Sequence, residues 1–354
     1  MSVKISFTGV KMSIKVVIPD QYKSSLSLME TEVAIKKVKD FFEVELAGAL
    51  NLTRVSAPLF VRPETGLNDN LNNIERPVSF DAKGITGNLE IVHSLAKWKR
   101  DALHRYEFSV GEGLYTDMNA IRRDEDLSNI HSFYVDQIDW EKVIVREERT
   151  QEFLRETVRV IYSVLQRTQE YIYSLYPILI PSEDTQWGIL PEHIFFVSTQ
   201  ELEDRFPELS PKEREHAITK VYGAVFVTQV GGNLKSGEIH DGRSAEYDSW
   251  TLNGDILVWN TVLQESLELS SMGIRVDADE LISQCREKGI EDKLSLPYHQ
   301  GVLNNTLPLT IGGGIGQSRI CLFLLKKCHI GEAQSSVWDK ETIQVCQERG
   351  VQLL

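Results

Sequence analysis

Apolar residues recur at helical spacing over residues 30–50, at Val33, Ile35, Val38, Phe41, Phe42, Val44 and Leu46, and leave an acidic outer face. That periodicity predicts an amphipathic helix whose end is loosened by Gly48 and Asn51. A second stripe (Leu154, Val158, Ile161, Leu165, Ile172) predicts a helix over 150–176, stopped by Pro177. Ser210-Pro211-Lys212-Glu213 reads as a capping box with proline at the first helical position, opening a helix to about Tyr222. Asp277 and Glu280 open another that ends at Gly289. The remaining order is mostly strand-like: 90–93, the stretch after Gly111-Glu112-Gly113 up to 121, 133–141, 194–198, 224–230, 255–260, 266–276 and 310 onward. Segment 52–61 carries Pro58, which suits an edge strand, and 63–77 is a polar loop rich in Asn and Gly. Strands without a regular βαβ alternation predict an α+β fold with a central antiparallel sheet flanked by helices.

One strand breaks the usual pattern. In 133–141, Val135, Gln137, Asp139 and Glu141 fall on one side at period two, with Phe133 among them. Polar groups stand where a core-facing strand would carry apolar ones. Arg122 and Arg123 lie just across the preceding turn. An amide and two carboxylates on a sheet surface beside arginines form the floor of a polar site.

Composition narrows what that site serves. The 354 residues are 42% hydrophobic and 25% charged, enough for a large core. A net charge of −14 and a pI of about 5.1 disfavour a general nucleic-acid binder and favour a small-molecule enzyme or a protein-binding module. Cys285, Cys321, Cys328 and Cys346 form no Cys-x-x-Cys pair, and no histidine spacing completes a zinc set, so free thiols in a reducing, cytoplasmic setting are expected. The longest apolar run, 320–325, is too short to span a membrane. The first residues alternate like a strand (Val3, Ile5, Phe7, then Ile14, Val16, Ile18) and lack the arginines of a transit peptide. Residue 2 is Ser, so no cysteine stands there as a glutaminase nucleophile.

Three further segments carry chemistry. Thr-Ile-Gly-Gly-Gly-Ile-Gly at 310–316 removes side chains where a backbone must be approached closely, and Arg319 follows at the start of an apolar helix. An anion site and a tight strand-to-helix packing corner fit this run equally well. Asp255 and Glu268 flank an expected hairpin and could share a hard cation, although a solvated strand edge fits them too. By alternation, Glu268, Ser270 and Met272 fall on one face, and Ser271, Gly273 and Arg275 on the other. Ser94 heads a helix with Lys97, Lys99 and Arg100, a basic run that ordinarily reads as a solvated face, and Asp69 in Gly-Leu-Asn-Asp-Asn reads as a turn residue.

Taken together, VHSLAKWKR, GEGLYT, YVDQIDWE, LNGDILVWN, ELSSMGIRVDAD, GGGIGQSR and HIGEAQSSVW, in this order, resemble the ammonia-dependent asparagine synthetases, a family built on the class II aminoacyl-tRNA synthetase catalytic core. The resemblance runs from about Glu30 to the end. It implies one catalytic domain over 29–354, with 1–28 an extension of unknown role. Segment 30–58 is similar to the dimer-forming first motif of that class, 122–141 to the second, and 312–319 to the third. The implied reaction joins L-aspartate and ammonia with ATP and Mg²⁺, through β-aspartyl adenylate, to give L-asparagine, AMP and pyrophosphate. A homodimer, without nucleic acid or membrane, is implied as well. Residue by residue, Arg122 would contact the α-phosphate and carboxylate, Arg319 the nucleotide, and Asp255 with Glu268 the Mg²⁺. Asp69 would be the base that takes a proton from ammonium, and Gln137 would orient the reacting carbonyl. Ser94, Lys99, Asp248, Ser271 and Arg275 match aspartate-binding positions. Val135 occupies the register where class II synthetases carry an adenine-stacking aromatic. The alternative reading is an aspartyl- or asparaginyl-tRNA synthetase paralogue without an anticodon-binding domain.

Overall fold

A computed structural model describes residues 16–69, 71 and 74–354. The strand-like alternation at Val3–Phe7 and Ile14 therefore lies outside the described residues. The first helix, α1 (Leu28–Leu50), starts one turn before the apolar stripe because Ser27 caps it: the Glu30 carboxylate accepts from the Ser27 N–H at 2.8 Å. It ends at Asn51 in the left-handed region, φ 59°. The segment containing Pro58 is not one strand but two, β1 (Leu52–Arg54) and β2 (Phe60–Val61), which join different sheets. The proline deletes a ladder donor at the break.

Strands β3 (Ser79–Phe80) and β4 (Leu89–Ile91) complete a small sheet with β2. Helix α2 (Ala96–Arg105) leads into β5 (Gly113–Ile121) and β6 (Tyr134–Val143). Helix α3 (Gln151–Leu175) is capped by the Thr150 hydroxyl. Then follow β7 (Phe195–Ser198), α4 (Thr199–Arg205), α5 (Pro211–Tyr222) and β8 (Ala224–Thr228). The long hairpin of β9 (Asp248–Asn260) and β10 (Glu265–Arg275) comes next, then α6 (Ala278–Lys288) and α7 (Pro297–Leu303). The chain finishes with β11 (Thr310–Gly316), α8 (Gln317–Leu324) and α9 (Lys340–Glu348).

The main sheet has eight strands in the order β1-β5-β6-β11-β10-β9-β8-β7. From β5 to β8 every neighbour is antiparallel, as expected, while the outermost pairs, β1 with β5 and β7 with β8, are parallel. The main core lies on one face, where Ile138, Trp140, Ile256, Met272 and Ile311 meet α1, α3 and α8. On the other face α2 packs near β5 and β6 through Trp98, Leu103, Leu114 and Met118, and α4 and α5 pack near β8 through Leu202, Ile218 and Val227. The middle strands of that second face are left to the site. Among the described residues no helix is long and apolar enough to cross a membrane.

Candidate active site

A cavity of about 410 Å³ opens over β6, β11, β10 and β9. Arg122, Gln137, Asp255, Glu268, Ser271 and Arg319 all line it. Asp69, Ser94, Lys99, Asp248 and Arg275 do not; they form the layer behind its wall.

Strand irregularity brings the lining together. On β10, Glu268 pairs with Leu257 and Ser270 with Ile256, so Leu269 is an extra residue opposite β9. This bulge puts Glu268 and Ser271 on the same cavity, correcting the alternation that separated them. Ser271 in turn lies opposite Asp255. Strand β9 begins at Asp248, seven residues earlier than the pattern indicated, because Trp250 and Asn253 are buried rather than alternating with exposed positions.

The glycine run is an approach surface for side chains. A Cβ at Gly312 would strike the Glu141 carboxylate, and one at Gly314 would lie 2.5 Å from the Gln137 amide oxygen and 2.7 Å from Asp139 Oδ1. Strand β11 is thus bare so that polar groups of β6 can lie across it.

Behind that floor sits a buried charge layer. Arg275 donates to both oxygens of Glu141, each at 2.8 Å, and also to Asp248. Lys99, 1% exposed, donates to the Gly313 carbonyl at 2.8 Å and lies 3.3 Å from Asp139. Burial pushes the Asp139 carboxyl up and the Lys99 ammonium down, whereas Arg275 and Lys99 outweigh burial at Glu141 and hold its carboxyl low. The basic run on α2 is therefore not a solvated face. Lys97 pairs with Glu246 at 2.8 Å, and Arg100 donates to the Pro308 and Val276 carbonyls, each at 2.8 Å.

Asp69 is more than a turn residue. Its Oδ1 accepts from Leu71 N–H at 2.9 Å, as a turn requires. Its Oδ2 accepts from the hydroxyls of Ser94 and Tyr247, both at 2.8 Å, in a site where Asp69 is 1% exposed. Tyr247 lines the cavity and so connects Asp69 to it. Ser94 serves Asp69 here while its oxygen accepts weakly from the Ala96 N–H at 3.4 Å; the residue at the helix boundary is Leu95.

Cationic and anionic groups face one another across the remaining wall. Arg319 lies 3.6 Å from Glu268, and the buried Nε of Arg122 has no hydrogen-bond partner among the described residues. Arg243, passed over in the sequence, donates to Asp255 at 2.6 Å and to the Ser271 hydroxyl. It sits in an aperiodic loop, where only adjacent Asp241, Gly242 and Ser244 hinted at a polar site. Burial pushes Asp255 up to about 6; Arg243 opposes the rise and Glu268 adds to it. Two carboxylates near one another, one resisting ionisation, suit a hard divalent cation held together with phosphate oxygens. Among the described residues no cluster of three or more His, Cys, Asp or Glu stands ready to hold a metal alone.

The family model for aspartate-ammonia ligase matches residues 29–350. An aspartate–ammonia ligase of Clostridium perfringens is 61% identical over 96% of this chain and 99% of its own length. Those of Ruminiclostridium cellulolyticum and Fusobacterium nucleatum are 60% and 58% identical, over 95% and 94% of the chain and 98% and 99% of their own. Among solved structures, asparaginyl-tRNA synthetase from Pyrococcus horikoshii complexed with asparaginyl-adenylate superposes with a TM-score of 0.61 at 15% identity, over 87% of this chain and 70% of that one. Aspartyl-tRNA synthetase from Entamoeba histolytica gives 0.58 at 14% identity, over 91% and 64%. The fold is that of the class II synthetases, and the chain belongs to the aspartate–ammonia ligase family.

Proposed function

We infer that this chain makes L-asparagine from L-aspartate, ammonia and ATP, releasing AMP and pyrophosphate. The observation that carries the reading is identity of about 60% to aspartate–ammonia ligases over nearly the whole chain. The cavity's mixture of arginines, an amide and two carboxylates supports it.

In the first step an oxygen of the aspartate β-carboxylate attacks the α-phosphorus, and the bond to pyrophosphate breaks. Two anions must approach, so Arg122 and Arg319 neutralise phosphate charge. Asp255 and Glu268 would hold Mg²⁺, which supplies further positive charge to the phosphates. In the second step ammonia nitrogen attacks the acyl carbon and AMP leaves. Ammonium dominates at neutral pH, so Asp69, linked to the cavity by Tyr247, takes a proton from it. Gln137 orients the acyl oxygen. Ser271 touches the substrate, while Lys99, Asp248 and Arg275 fix its pocket from behind. The second-row position of Lys99 and Arg275, each already paired with carboxylates, supports that division.

The working unit we propose is a homodimer formed along α1, whose Met29, Val33 and Val44 are exposed. A monomer by light scattering would count against it. The decisive assay incubates the protein with ATP, Mg²⁺ and aspartate, with and without ammonium. Asparagine formed only with ammonium, at one AMP per product, is expected. AMP or pyrophosphate exchange without asparagine would favour the tRNA synthetase paralogue, which the fold also supports.

A further inference from the structure

Residues 16–22 run back across the molecule. Ile18 is buried beside Cys328, Cys346 and Val351, and Arg349 donates to its carbonyl at 3.1 Å. The Tyr22 hydroxyl donates to the Glu332 carboxylate, 2.8 and 2.9 Å from its two oxygens. The same carboxylate accepts from the backbone N–H groups of Cys328 and His329, at 3.0 and 3.2 Å.

Asn129 ties this segment to the cavity. Its amide oxygen accepts from Val17 N–H at 2.8 Å. Its amide nitrogen donates to the carbonyls of Val17 at 2.8 Å and Cys328 at 2.7 Å. Its own carbonyl accepts from Ile330 N–H at 2.7 Å. Only 6% exposed, this one residue joins partners 112 and 199 positions away. Every side-chain hydrogen it can donate and the oxygen it offers are engaged.

What it holds is the wall of the cavity. Ile130, His131 and Ser132 follow Asn129 directly and line the cavity with Arg122 and Glu125 of the same connection, which has no helix or strand of its own. Ile330 and Gln334 line it from the segment that Asn129 and Glu332 bind. Such a connection keeps its shape only through contacts of this kind.

We propose that Asn129 is a positioning residue for the nucleotide: by clamping residues 16–18 to the 122–133 connection and to Cys328, it fixes the wall against which ATP binds. This rests on reading the cavity as the ATP site. Without the clamp, part of the ATP binding energy goes into ordering the connection, and ATP affinity falls. Aspartate binding falls less, because Lys99 and Arg275 are held by separate contacts and only Arg122 of this connection is assigned to the aspartate carboxylate.

The test compares Asn129→Ala and Val17→Pro with the full-length chain, measuring asparagine formation against ATP and, separately, against aspartate. Val17→Pro deletes one N–H at a half-exposed position, so it leaves the core untouched. ATP KM should rise about tenfold in Asn129→Ala and about threefold in Val17→Pro, with aspartate KM changed by less than about twofold. Equal rises in both KM values, a loss of kcat at unchanged ATP KM, or a folded Val17→Pro with the parent ATP KM would each overturn the proposal. Failure of the unaltered protein to consume ATP would instead overturn the reading of the cavity, whatever the variants do.

Discussion

The cavity wall and the layer behind it are built from the same residue types and behave differently. Arg275 is buried with its guanidinium shared between Glu141 and Asp248. Arg122 reaches the cavity with its Nε unpartnered among the described residues, and Arg319 is partly exposed, donates to the Glu268 carbonyl at 3.0 Å and lies 3.6 Å from the Glu268 carboxylate. A paired buried charge holds geometry, because removing one partner strands the other. A charge with spare donors facing a cavity is available to a ligand.

That contrast breaks first at Arg275. Arg275→Met should lower unfolding free energy by about 3–5 kcal/mol, since Glu141 and Asp248 lose their cation in the interior; denaturant titration reads it. A stable variant that merely binds aspartate poorly would show that Arg275 belongs to the wall. Arg122→Ala should do the opposite, cutting aspartate-dependent pyrophosphate exchange by about a thousandfold while the melting temperature stays near the parent's. Asp69→Asn sharpens the comparison further. It should still form adenylate, seen as pyrophosphate exchange, but lose asparagine formation by about a hundredfold. Asparagine at a normal rate would remove Asp69 from the role of base.

The smallest effect separates binding from stability at one residue. Asp255 ionises in the fold near pH 6, above its ordinary 3.8, so the free protein loses stability as pH rises through that window. Asp255→Asn removes that loss. It should melt higher than the parent at pH 7.5 and about equally at pH 4, yet be inactive. Adding Mg²⁺ and ATP should raise the parent's melting temperature above pH 6 and leave the variant's unmoved.

Much of the frame was legible. The capping boxes at Ser210 and Asp277, the stripe of α3, and the polar period of β6 are local signals, and each produced the element it indicated. What stayed hidden depended on neighbours distant in sequence. The bulge at Leu269 is defined by pairing with β9 and leaves no mark in composition. Lys97, Lys99 and Arg100 look solvated until Glu246, Glu141 and the Pro308 carbonyl are brought to them. Arg243 sits in a loop without periodicity, so only the fold delivers it to Asp255.

Gly312 and Gly313 carry a consequence for experiments that measure tolerance to substitution. At both, any side chain would meet β6 or β10: the Glu141 carboxylate and the Trp140 carbonyl in one case, Met272 and the Ser271 carbonyl in the other. Every amino-acid change there adds a Cβ, so a saturation library scored by growth should deplete these positions as completely as Arg122. Such a library would therefore overcount the chemistry, ranking two residues with no functional group beside those that carry it. Scoring the same library for soluble abundance as well as growth would separate them, because only the glycine variants should fail both screens.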